Sequence, residues 1–212
     1  MNEIQDINSV YCQAVTRDPS TGQIGGTFAP LILNANVASL KTSGVDVQVD
    51  YSQPLGFGFF SEAANLNFFF LGTYTDKNVF TPVVDQPDIS TNCAGRFGTS
   101  VCGNPQPKYK WTSRISFIDG AMTTSLRYRH LGKVRDDDDT TDYLVEQLKA
   151  KDYFDLSFAA NLTDQFTLTA GVNNLFDTKP QLIGDNQQQA NTYPAVYDVL
   201  GRDYFVSVRF AF

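Results

Sequence analysis

Histidine occurs once in this sequence, at His130, and cysteine three times. That leaves almost no raw material for zinc or heme ligation or for His-based nucleophilic catalysis, so the chain reads as a non-enzyme with no cofactor and no metal centre. Long hydrophobic runs are missing too. No stretch approaches the roughly 18 to 20 consecutive apolar residues of a spanning helix, and nothing after Met1 resembles a signal peptide. Positive charge is scarce: 16 Lys and Arg face 23 Asp and Glu, for a formal charge of -7. Such a chain lacks the dense basic footprint that displaces counterions from nucleic acid, which is excluded as a partner. Helical periodicity is nearly absent, the one weak candidate being "DYLVEQLKAKD", residues 142–152.

What the chain has in quantity is alternation. Its 212 residues are 42% apolar, enough for one domain with a core. Val45, Val47, Val49 and Tyr51 alternate with Asp46, Gln48 and Asp50; Leu66, Phe68, Phe70 and Tyr74 follow the same rule, blurred by Phe69 and Leu71. Tyr109, Trp111, Ile115 and Phe117 form a third stripe, Met122, Leu126 and Tyr128 a fourth, and Phe154, Leu156, Phe158 and Ala160 a fifth. Phe166, Leu168, Ala170 and Val172, then Tyr204, Val206, Val208, Phe210 and Phe212, complete the set. Period-2 runs of this kind predict strands, and these are longer than the usual five or six residues of soluble sheets.

The connections alternate as well. A modest link after Tyr51, the Asp119-Gly120 pair (a two-residue hairpin signal) and "LTDQ" at residues 162–165 are short. Residues 77–107, 132–151 and 177–202 are long. In an up-and-down sheet this puts every short turn on one side and every long loop on the other, as in outer-membrane barrels. A closed barrel pairs all of its backbone groups in lipid and exposes an apolar outer face, while its wet interior tolerates Arg114, Arg127, Arg129, Asp155 and Arg209. Tyr109, Trp111, Tyr128, Tyr153 and Tyr204 then fall near strand ends, as interfacial girdles require. A soluble two-layer β-sandwich explains the alternation but not the sorting of the loops. His130 takes the outward register after Tyr128 and is interfacial on this reading.

Cys93 and Cys102, in "NCAGRFGTSVCG", have the spacing of a short disulfide ring in a long loop, which implies an oxidising compartment; two free thiols are the alternative. Cys12 is left over, and with the missing signal peptide it suggests residues lost upstream.

At this point the residues resemble a known family. "FTLTAGVNNLFDTKP", residues 166–180, resembles the penultimate strand of TonB-dependent receptors, and "YDVLGRDYFVSVRFAF" resembles their final strand. "LKTSGVDVQVDYSQP" and "VTRDPSTGQI" look like earlier barrel segments. The resemblance implies an all-β, antiparallel up-and-down barrel of about 22 strands around an N-terminal plug, of which residues 1–212 supply about seven C-terminal strands. The plug, the energy-coupling box and the earlier strands are expected to be missing. It also implies import of a scarce ligand such as a ferric siderophore, cobalamin or a carbohydrate. The implied partners are outer-membrane lipid, the barrel assembly machinery, the TonB complex through the missing plug, and a small-molecule ligand. The long loops are then extracellular and the C-terminus periplasmic. Asn173, Asn174, Leu175, Phe176, Asp177, Tyr197, Asp198, Gly201 and Arg202 carry the motif as rim and turn elements, and Phe212 is the assembly signal.

The candidate ligand residues are Arg96, Arg114, Arg127, Arg129 and Arg135, which suit an anionic ligand but equally suit solvated or paired lumen charges. The run Asp136 to Asp139 offers hard oxygen ligands yet lacks the spacing and glycine of a calcium loop, and reads as a solvated acidic loop. A passive porin-like channel, a secreted soluble β-sandwich that binds glycans or cells, and more remotely an outer-membrane hydrolase are the alternatives.

Overall fold

The computed structural model describes residues 15–25, 38–83 and 87–211. Cys12 and Phe212 lie outside the described residues. The chain divides into two units, residues 1–37 and residues 38–212. In the first, the described residues make a turn: Asp18 accepts from the Ser20 amide at 2.7 Å and the Thr21 amide at 3.1 Å.

Among its described residues, the second unit contains twelve strands in chain order: β1 Ser39–Leu55, β2 Ala64–Thr81, β3 Thr91–Asn92, β4 Arg96–Gly98, β5 Gly103–Gln106, β6 Tyr109–Asp119, β7 Met122–Leu131, β8 Val134–Asp136, β9 Gln147–Leu148, β10 Lys151–Thr163, β11 Phe166–Asn173 and β12 Asp203–Phe210. The seven long ones form one antiparallel sheet in the order β1-β2-β6-β7-β10-β11-β12, with β3 pairing off β2. Every neighbour in that order is also the next long strand in the chain, so the topology is up-and-down. Links 56–63, 120–121 and 164–165 lie at one end of the sheet; residues 82–108, 132–150 and 174–202 lie at the other.

The sequence expectation differs from the fold at the β6–β7 hairpin and at residues 142–152. The hairpin pair after β6 is Gly120-Ala121, with Gly120 at φ 59°, the geometry that puts glycine first in a type II′ turn. Asp119 is the last residue of β6; its buried carboxylate accepts from Ser61 and from the Phe59 and Phe60 amides, tying two short turns together. Residues 142–152 form no helix. They contain β9 and lead into β10, and Leu148 is buried in a loop core, so tertiary packing overrides the weak helical spacing.

The register shows which solvent each face meets. Tyr51, Phe68, Ile115, Leu126, Leu156, Val172 and Tyr204 form one cross-strand row, a residue from each long strand. All but Val172 are exposed, from Phe68 at 36% to Tyr204 at 72%. A continuous apolar row left uncovered in seven strands is a surface for lipid, not for water. One residue away, Asp50, Phe69, Arg114, Arg127 and Asp155 form the row on the opposite face.

Aromatic side chains collect on the apolar face near the long-loop end. Tyr74 stacks on Tyr109 at 4.9 Å, Trp111 on His130 at 3.7 Å and Tyr128 on Phe154 at 4.8 Å. Rings that are apolar in body and polar at the tip belong at a membrane interface. Tyr153 does not join them. It shares the parity of Asp155, faces inward and is fully buried, with its ring under the Arg129 guanidinium at 4.9 Å.

A few apolar residues of the sheet are buried, Ala64, Tyr153 and Ala160 among them, but the hydrophobic core cluster is elsewhere. It lies among the long loops, where Phe97, Val134, Leu148, Ile183, Tyr193 and Tyr197 pack together. There β5, β4, β8 and β9 form a second small sheet, in which β4 runs parallel to β8. The three long connections therefore make one packed cap, each contributing at least one side chain to its core.

Candidate functional site

Two elements compose the site: the charged inner wall and the cap above it. On the wall, strand parity aims Arg127 and Arg129 of β7 and Asp155 of β10 to the same side. Asp155 is nearly inaccessible and accepts from Arg127 Nε at 2.8 Å, Arg129 Nε at 2.8 Å, Arg129 Nη2 at 3.1 Å and the Asn174 amide at 2.8 Å. Arg129 reaches on to Asp198 at 2.7 Å. These charges are satisfied by one another, as a half-buried ionic network requires.

Arg114 stands apart. It sits directly opposite Arg127 across β6 and β7, is exposed, and makes no ion pair among the described residues. Like charges facing each other across a ladder repel, and here Asp155 offsets the Arg127 charge. A cavity of about 400 Å³, lined among others by Arg127, Arg129, Tyr197, Asp198 and Asp203, opens beside the network under residues 174–202.

The two motif stretches at the rim are bound to each other. Asn174, at φ 51° and fully buried, accepts from the Thr178 amide at 2.8 Å and donates to its carbonyl at 2.9 Å. Asp177, at φ 55°, accepts from the Arg202 amide at 2.8 Å and pairs with Lys179 at 2.9 Å, which holds its carboxyl below the usual range. A side chain at Gly201, φ 80°, would collide with both Lys179 and Asp177. The Leu175 amide donates to the Phe154 carbonyl at 2.6 Å, and exposed Phe176 packs edge-on against Phe154 at 5.3 Å. Asn173 bonds Asp203 at 3.3 Å. "NNLFD" and "YDVLGR" thus close the base of the longest loop onto the wall.

The acidic run is not a solvated loop. Asp136 and Asp137 are buried at 1% and 8% exposure. Asp136 bonds the Asn186 side chain, and Asn186 accepts from the Thr99 amide at 2.9 Å. Asp137 accepts from the amides of Val101 at 2.9 Å and Cys102 at 2.5 Å. Its carboxylate lies so close to Gly98, at φ 150°, that no side chain fits there. Asp138 takes the Thr140 amide at 2.9 Å and hydroxyl at 2.6 Å, bonds that bring its carboxyl down to about 2. Asp139 pairs with Arg96 at 3.1 Å and Arg135 at 2.9 Å. One run of four aspartates therefore knots all three loops, and its distant partners, 35 to 50 residues away, were not readable from the sequence. Asn186 and Tyr193 went unrecognised for the same reason; Tyr153 was recoverable, because its parity with Asp155 marks it as inward.

Cys93 and Cys102 are joined by a disulfide that closes the loop presenting the Val101 and Cys102 amides. Burial pushes the Tyr193 phenol up to about 12, with the Asp136 and Asp137 carboxylates adding to the effect. Burial likewise raises Tyr197 and Asp136.

Of the five candidate ligand residues, Arg114, Arg127 and Arg129 come together on the inner wall, while Arg96 and Arg135 meet in the cap. Among the described residues no group of three or more His, Cys, Asp and Glu is arranged to hold a metal ion, and no helix is long and apolar enough to cross a membrane.

A sheet that leaves its apolar face uncovered and keeps its charges on the other face is the wall of a transmembrane β-barrel, the one setting in which both faces are solvated as they require. The family model described as TonB dependent receptor-like, beta-barrel matches residues 11–175, and the chain belongs to that family. No curated protein matches it. Among solved structures, the copper transporter OprC resembles it with 17% identity and a TM-score of 0.40, over 84% of this chain and 28% of that one. The chain thus spans 28% of the length of that transporter.

Proposed function

We propose that this chain is the C-terminal part of an outer-membrane active-transport receptor that imports a scarce ligand such as a ferric siderophore, cobalamin or a carbohydrate, energised through TonB. The observation that carries the reading is the wall itself: a seven-strand lipid-facing row backed by a charged interior, in a chain of the TonB-dependent receptor family. Arg114 is a cation on the inner wall that favours an anion, and the cavity beside Arg127 and Arg129 gives such a ligand room. On this reading the plug and the remaining strands belong to the complete receptor, with long loops outside the cell. Phe212 continues the parity of Tyr204, Val206, Val208 and Phe210, and serves as the assembly signal.

The test has two parts. An antibody against residues 177–202 should detect, in separated outer membranes, a product several times heavier than the 23.5 kDa of this chain. Cells should accumulate at least one of a labelled panel of ferric siderophores, cobalamin and oligosaccharides through this receptor, and lose that accumulation when TonB is deleted. Equal uptake without TonB would point to a passive channel. A 23.5 kDa band in the soluble extract would overturn the barrel reading altogether.

A further inference from the structure

The face of the cap sheet that turns away from the core carries a second cluster of cations. In β4, β8 and β9 the register aligns Arg96, Arg135 and Gln147 on one side, while Phe97, Val134 and Leu148 on the other side join the core. Arg96, Arg135, Lys108 and Lys133 line a cavity of about 410 Å³ on this outer side, together with Tyr109. Its floor is made of small residues, Ala94, Gly95 and Gly132, and the methylene stem of Lys108 lies across Gly95. Asp139 pairs with Arg96 and Arg135; Lys108 and Lys133 make no ion pair among the described residues and are exposed. In a chain of formal charge -7, four cations around one hollow are a local inversion of sign.

The position of the hollow says what the cations face. Tyr109 belongs both to it and to the aromatic belt, through its stack on Tyr74. The belt marks the membrane interface, so the cations stand at the level of the lipid head groups, with the exposed Ile115 of the same strand below. We propose that this hollow binds the phosphorylated head group of a membrane lipid, an assignment that rests on the membrane-barrel reading above. The guanidinium forks of Arg96 and Arg135 suit phosphate oxygens, and Lys108 and Lys133 supply point charges on flexible stems. The acyl chains then run down the apolar row past Trp111 and Ile115.

Native mass spectrometry of the full chain in neutral detergent micelles, where membrane insertion is not at issue, tests the proposal with phosphatidic acid as the probe. Phosphatidic acid should be retained, and a diacylglycerol with the same chains should not. The double substitution K108Q/K133Q should weaken retention roughly thirtyfold, from about a fivefold loss per basic residue near a charged lipid surface. K41Q, on β1, should leave it unchanged. D139N, which frees Arg96 and Arg135, should strengthen it. Unchanged retention in K108Q/K133Q, or equal retention of diacylglycerol, overturns the site. Displacement by inorganic phosphate at the same concentration overturns the lipid assignment in favour of a free-anion site. Failure in any of these arms leaves the transport reading standing, because that rests on membrane fractionation and TonB dependence.

Discussion

Replacing Asp155 with alanine should destabilise the barrel wall by about 3 kcal/mol. The figure follows from what the carboxylate holds: three hydrogen bonds from Arg127 and Arg129 and one from the Asn174 amide. Breaking a buried ion pair by removing one partner costs about 3–5 kcal/mol. Here the Arg127 and Arg129 side chains keep 36% and 27% of their accessibility, and Arg129 retains Asp198, so only part of that applies. Against this discount, the orphaned Asn174 amide adds about 1–3 kcal/mol. D155N keeps an acceptor for that amide and loses only the charge, so it should fall near half the loss. Trp111 is the single tryptophan and sits in the outer belt, so its emission during urea unfolding from lipid vesicles reads the transition with no added label. If D155A unfolds within about 0.5 kcal/mol of the parent, the scale of an unimportant surface change, the network does not hold the wall, and the reasoning about its role is wrong.

Three further outcomes are expected. N186A removes the acceptor shared by Thr99 and the partner of Asp136, at about 1–3 kcal/mol, and should speed hydrogen exchange in residues 99–102 and 134–138 together; faster exchange in one segment alone would show that the loops do not lock as a unit. Cys93 and Cys102 should resist a thiol reagent on unreduced cells, and C93S/C102S should cost the cap about 2.5–3 kcal/mol by the loop-closure entropy of so short a ring; ready labelling before reduction contradicts the disulfide. The folded cap raises the Tyr193 and Tyr197 phenols and the Asp136 carboxyl, so each contributes stability that is fully present below its unfolded value and is lost as pH rises through its folded one. Protease resistance of the cap should therefore fall between pH 10 and about 12, tracking Tyr193 ionisation by spectrophotometric titration, and Y193F should shift that loss; resistance independent of pH across this window would refute the assignment.

The strands, their two faces and the sorting of their connections were legible in the sequence, because each rests on local rules. Alternation fixes which residues share a face, so the lipid-facing stripes and the inward set of Arg114, Arg127, Arg129 and Asp155 could be read strand by strand. Tyr153 was misplaced only because its nearness to a strand end was weighed above its parity. The loops obeyed no such period. Asp136 and Asp137 look like solvated carboxylates in a run of four, and the sequence carries no sign that Asn186 will meet the first and the Val101 and Cys102 amides the second. Asp198 is likewise an anonymous loop acid until residues 174–202 fold back and set it against Arg129. Burial and pairing across 35 to 69 residues depend on where three separate connections converge in space, and only the tertiary structure decides that.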